Sequence, residues 1–167
     1  RWIAAGGAVA AVMSLGAYAW VLVPELQRAW PVAADPRKDI SNELFGWPQV
    51  IREVERQTES QWTPVSSRGD VVVVGPHWVI CAQLEAALRG ETPVGCDTPV
   101  RDDFDTWWPR DRWSHADTIV WVTDARFGPP PKLAAYALLK TAQVHVMRGG
   151  RVARLFTIAT FTSRSQG

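Results

Sequence analysis

The densest group of acids in the chain is Asp102-Asp103-Phe104-Asp105. Asp103-x-Asp105 has the spacing at which two carboxylates hold a divalent cation against a sugar nucleotide, because hard cations select oxygen ligands. An isolated triplet of this kind recurs by chance. The chain beyond its apolar N-terminal run is also short for the nucleotide-binding fold that such chemistry needs. A solvated loop without metal is the expected reading. Trp107-Trp108 follow directly. They would form a wall for a sugar or lipid headgroup, or a plug on a sheet edge, with the plug favoured.

A second group is His77, Cys81 and Cys96. His77 and Cys81 are four apart on an expected helix and share a face. A histidine and two thiolates could begin a zinc site, but a fourth ligand is not evident. Val74-Gly75-Pro76-His77 joins a strand to a helix, where a phosphate loop would sit. It has one glycine, and its proline removes an amide donor, so phosphate binding is disfavoured. No Gly-x-Ser-x-Gly elbow occurs, which argues against a serine hydrolase. The cysteines are better read as a disulfide or as buried thiols. Cys81 lies in the first turns of its helix, above the C-terminal ends of the strands, and Cys96 ends the next strand. In a βαβ unit both fall at one edge of the layer, so proximity is expected, and a disulfide if the domain is extracytoplasmic.

The elements that position these residues begin with an apolar run. Ile3 to Val23 carries no charge and at 1.5 Å per residue covers roughly 30 Å, the thickness of a hydrocarbon core. A transmembrane helix is expected, with a cleavable signal as the lesser reading. Gly6, Gly7, Ala10 and Gly16 suit close packing against other membrane helices. Trp2 and Trp20 fall near the ends of the run, where interfacial tryptophans sit. The chain begins with arginine and is read as a processed product or a piece of something longer. Residues 1–31 form the membrane helix and its exit, and 32–167 a soluble domain. A net charge of +1 gives no basic face for nucleic acid.

Within the soluble part a helix is expected from Asn42 to about Thr58, starting in regular form near Gly46 or Trp47 because Pro48 belongs in a first turn. Arg68-Gly69-Asp70 matches an integrin tripeptide and is discounted as too short a signal. Val71 to Val74 reads as a buried parallel strand. His77 to Leu88 is a helix, Pro93 to Cys96 a second strand, and 102–113 irregular or briefly helical. Thr118 to Thr123 is a third strand. Pro129-Pro130-Pro131 opens a helix to about Thr141. Gln143 to Arg148 and Val152 to Phe161 are antiparallel strands about a Gly149-Gly150 turn. The fold class is α/β: one transmembrane helix, then a small three-layer domain with a mostly parallel sheet and a C-terminal antiparallel hairpin.

Asp35-Pro36, Asp39 and Gly46-Trp47 after an apolar helix resemble the start of the C-terminal domain of bacterial multi-pass glycosyltransferases of the GT-C type. These are related to protein mannosyltransferases and the lipid A aminoarabinose transferase. The likeness runs on through the Val71–Val74 strand, Asp103-Phe104-Asp105-x-Trp107, Val122-Thr123-Asp124 and the final hairpin. It implies a polyprenyl-phosphate sugar donor and a catalytic acid in an upstream extracytoplasmic loop, hence no catalytic residue in this stretch and no cofactor. The stretch would be the last span plus an extracytoplasmic tail, covering or shaping the acceptor side at the inner membrane. Its partners would be membrane lipid, the upstream helices of the parent and a lipid-linked sugar. Asp35, Asp39, Gly46 and Trp47 would be structural. His77, Asp103, Asp105 and Trp107 are the candidate substrate-facing positions. Arg28, Arg37 and Lys38 beyond the span would by the positive-inside rule put the tail in the cytoplasm; the resemblance puts it outside, and is followed. The alternative is a single-span anchored interaction module without activity.

Overall fold

In the computed structural model the described residues are 2–23, 25–26, 39–61 and 71–164. Asp35 and the Arg68-Gly69-Asp70 triplet lie outside them. The chain divides into two compact units. One is Arg1–Phe45 with Met147–Ala153, and the other is Gly46–Val146 with Arg154–Gly167.

The first unit holds helix α1, Trp2–Leu22. Its sequence carries no charged residue and is apolar all round rather than along one stripe, and none of its side chains is buried. With 21 residues and a mean hydropathy of 1.6 it is long and apolar enough to cross a membrane, features that a signal sequence shares. A 3-10 turn, Ile40–Leu44, follows the connector. Asp39 caps it, accepting from the Ser41 amide at 2.9 Å and the Ser41 hydroxyl at 2.6 Å. Regular helix therefore does not begin at Asn42 but at Trp47, where Pro48 led it to be expected. The regular helix α2, Trp47–Glu59, has Gly46 as its N-cap. Gly46 adopts φ +86°, and a Cβ there would collide with the side chain of Val146. Only glycine fits that conformation and that approach. Pro48 then occupies the first helical turn, where its missing N–H costs nothing.

The second unit is built on a five-stranded sheet in the order β2-β1-β3-β5-β4. The strands are β1 Val71–Gly75, β2 Val94–Cys96, β3 Thr118–Asp124, β4 Tyr136–Arg148 and β5 Arg151–Ser163. β1 pairs in parallel with β2 and β3, and β3 pairs antiparallel with β5. β1 and β3 are buried at every position, which explains why they read as continuous apolar runs. Register places Val73, Val120 and Thr160 on one face and Val74, Trp121 and Ala159 on the other.

Helices cover both faces, giving the three layers expected. On the first face α2 sets Trp47 edge-on to Phe156, ring centroids 5.3 Å apart, and Gln57 accepts from the Thr160 hydroxyl. Helix α3, Trp78–Leu88, packs there too: a Cβ at Gly75 would lie 3.0 Å from Ile80 Cγ2 and 3.1 Å from the Cys81 sulfur. The single turn α4, Phe104–Trp107, borders α3, and on the second face lies another, α5 Arg110–Trp113. A Cβ at Gly95 would come within 2.5 Å of Trp113 Cδ1, so that glycine lets the buried indole approach the strand closely.

The expected helix from Pro129 to Thr141 is absent, and the fourth strand begins at Tyr136 rather than Gln143. Ala, Leu and Lys in this stretch favour helix locally. Tertiary pairing overrides them. The Tyr136 side chain is buried, its hydroxyl donating to the carbonyls of Ser114 at 2.9 Å and Ala116 at 2.6 Å, and the backbone of β4 pairs with β5. Gly149 and Gly150, φ +57° and +76°, make the two-residue turn whose twist matches the hairpin.

Candidate functional site

Cys81 and Cys96 are joined by a disulfide, Cα atoms 5.9 Å apart across a sequence separation of 15. The sulfurs are therefore not thiolates, which removes the zinc reading at His77. His77 is instead the N-cap of α3, its Nδ1 accepting from the Val79 amide at 3.3 Å. Its ring stacks on Phe127 with centroids 4.5 Å apart and tilts against Trp78 at 5.8 Å.

The loop that carries Phe127 is fixed by the end of β3. Asp124 is buried and accepts from Arg126 Nη2 at 2.7 Å, from the Arg126 amide at 2.9 Å, and from Arg154 Nη2 at 2.8 Å. Burial pushes the Asp124 carboxyl up, but the hydrogen bonds from Arg126 and Arg154 overcome it and leave it below the ordinary carboxylate value. Arg154 in turn lies 4.9 Å from the Trp47 ring centroid and 4.2 Å from that of Phe156. Trp47 of the tail-like motif is thus a core residue. The role of Asp124 was hidden in the sequence, because Arg154 is 30 residues away and neither arginine stands in a recognisable pattern.

The acidic cluster divides. The Asp102 amide donates to Asp105 at 2.8 Å, while Asp102 accepts from the Phe104 amide at 2.9 Å and from the Thr98 hydroxyl at 3.2 Å. These two acids tie the turn before α4 together, so Asp105 does not converge with Asp103 on a cation. Among the described residues no group of three His, Cys, Asp or Glu side chains is arranged to hold a metal. Asp103 is exposed and makes no capping bond.

Asp103 and Trp107 do meet, at a groove of about 430 Å³ between α3 and α4. Trp78 and Trp107 are 57% and 55% exposed. Phe104, buried, meets Trp107 edge-on at 5.3 Å. Ala82 and Ala86 keep the α3 side shallow, and Glu85, Asp102 and Asp103 supply the polar groups. Burial raises the pKa of Glu85, and no described residue forms a hydrogen bond or ion pair with its carboxylate. Large aromatic faces beside carboxylates suit a ligand with an apolar ring face and hydrogen-bond donors at its rim. Of the four candidate substrate-facing residues, Asp103 and Trp107 line the groove, His77 touches it through Trp78, and Asp105 is structural. Trp78 and Glu85 were missed. They lie on a helix that reads from sequence as core, and only its docking against α4 reveals their shared face.

In the first unit Arg148 is the organising side chain. Its Nη1 donates to Ser41 Oγ at 2.6 Å, Asn42 Oδ1 at 2.8 Å and Asp39 Oδ2 at 3.4 Å, and its Nη2 to the carbonyls of Trp20 and Val21 at 3.1 and 2.8 Å. The guanidinium lies 4.2 Å from the Phe45 ring centroid. Burial lowers its pKa and Asp39 opposes that; a guanidinium stays charged regardless. Asp39 is thereby a structural residue, and so is Gly46 by its backbone.

No protein family, curated protein or solved structure matches this chain.

Proposed function

We propose that this chain is the last membrane span and extracytoplasmic tail of a glycosyltransferase that uses a polyprenyl-phosphate sugar, the tail shaping the acceptor side. The observation that carries this reading is the groove between α3 and α4, where Trp78 and Trp107 stand exposed beside Glu85 and Asp103. A pyranose presents C–H faces that stack on indole and hydroxyls that donate to carboxylates, so this pairing suits sugar better than a wholly apolar or wholly charged ligand. Two further features support it. The α1 helix is apolar enough to anchor the chain, and the Cys81–Cys96 bond belongs to an oxidising compartment.

The test is transfer by membranes containing the complete protein that bears this chain. Supplied with labelled polyprenyl-phosphate sugars, they should move label to an acceptor and release polyprenyl phosphate. Trp78→Ala with Trp107→Ala should raise the acceptor KM with a smaller effect on kcat, because the groove binds and does not react. Absence of transfer from every donor tried, with the protein folded and inserted, would contradict the reading.

A further inference from the structure

We propose that the groove between the segment 130–134 and the face of β4 and β5 binds a single-chain anionic lipid. The hydrocarbon chain would lie in the groove and the headgroup against Lys132 and Arg164. The groove has a volume of about 560 Å³, within the range of small-molecule sites. Its floor is Tyr136, Ala159 and Phe161, all part of the buried core cluster. Pro130, Pro131, Leu133 and Leu138 complete its apolar lining.

The groove is preformed. Tyr136 is locked by its bonds to Ser114 and Ala116, so its hydroxyl is already satisfied and its ring presents an apolar surface. Leu133 packs on the core cluster. Two prolines hold the wall without rotamer freedom to lose.

Charge selects the occupant. Among the described residues the only ionisable side chains in the lining besides the fixed tyrosine are Lys132 and Arg164, and no described acid lines it. Both are exposed, and neither side chain makes an ion pair with a described residue. An apolar trough with two cations in its lining complements an amphiphile with an anionic head. A cationic amphiphile would be repelled, and a neutral one would leave the cations unused. Lipid is within reach of the groove where α1, long and apolar enough to cross a membrane, anchors the chain. This inference does not depend on the sugar-transfer reading, since the two grooves share no residue.

The experiment uses the full chain in nanodiscs of zwitterionic lipid, with dodecyl phosphate carrying a terminal diazirine as probe. After irradiation, adducts should map to Leu133, Leu138 and Phe161 and be competed by unlabelled dodecyl phosphate, but not by dodecyltrimethylammonium. Lys132→Glu with Arg164→Glu should reduce labelling about tenfold at matched probe, the loss expected from roughly 1.4 kcal/mol of headgroup contact. Leu138→Glu, at a side chain already 60% exposed, should do the same without unfolding the domain. Circular dichroism checks that the variants are folded. Labelling spread over other surfaces, labelling insensitive to both variants, or equal competition by the cationic amphiphile would overturn the proposal. So would a dimer that excludes the probe and that Leu138→Glu dissociates.

Discussion

Arg148 Nη2 donates to the carbonyl oxygen of Val21 at 2.8 Å, so a side chain from the tip of the β-hairpin satisfies an orphan acceptor at the C-terminal end of α1. The last carbonyls of a helix lack intrahelical partners and carry the negative end of its dipole. A buried guanidinium there meets both needs and collects the Asp39-capped turn with its other nitrogen.

Removing that guanidinium strands several acceptors at once. Arg148→Ala is expected to cost about 2–4 kcal/mol of local stability, the usual effect of breaking a buried charged hydrogen-bond set. Proteolysis of the full chain should show faster cleavage within Ile40–Phe45. Arg148→Lys should recover less than half of the protection, because a single ammonium cannot reproduce the two-armed geometry. Unchanged cleavage in Arg148→Ala would show that the contacts carry no stability.

Gly46 presents two separable problems to a side chain, its positive φ and the nearness of Val146. Gly46→Ala should destabilise the domain by about 2 kcal/mol or more. Val146→Ala in the same chain should relieve the collision but not the backbone strain. A thermal double-mutant cycle should therefore show favourable coupling and an incomplete rescue.

Reduction of the Cys81–Cys96 bond should lower stability by about 3 kcal/mol on the chain-entropy relation for a closed loop of this length. Calorimetry with and without reductant should show a Tm fall of roughly 10 °C for a domain of this size. Cys81→Ala with Cys96→Ala should match the reduced protein and be insensitive to reductant. An equal Tm in both conditions would argue against the constraint.

Glu85 gives a pH signature. Burial raises its pKa in the folded state, so the unfolded chain releases its proton first as pH rises. The resulting penalty is absent below the unfolded value and grows as pH climbs through the raised folded value. Glu85→Gln should therefore be more stable than the parent near pH 7 and equal to it below about pH 4. A stability difference of the opposite sign at neutral pH would mean that the carboxylate has a favourable partner.

Local signals in the sequence were enough for β1, β3 and α3, because an all-valine run and an apolar helix ended by Arg89-Gly90 admit few alternatives. They failed for residues 136–141. There Ala-Leu-Leu-Lys favours helix, and only the long-range pairing with β5 and the buried Tyr136 decide for strand. The same limit applied to the sites. Cys81 and Cys96 were placed together by strand–helix geometry, since the two ends of a short βαβ unit leave little freedom. Trp78 and Glu85 could not be joined to Asp103 and Trp107, because the docking of α4 on α3 has no local signature. Arg148 is likewise more than 100 residues from Ser41 and Asn42.

The disulfide and the proposed sugar transfer both depend on the domain lying outside the cytoplasm. Alkaline phosphatase, active only after export, can be fused after Gly167 in the complete protein and compared with a fluorescent partner that matures only in the cytoplasm. High phosphatase activity with a dark cytoplasmic reporter is the expected result. A bright cytoplasmic reporter with inactive phosphatase would place the domain inside and contradict the assignment of an extracytoplasmic tail.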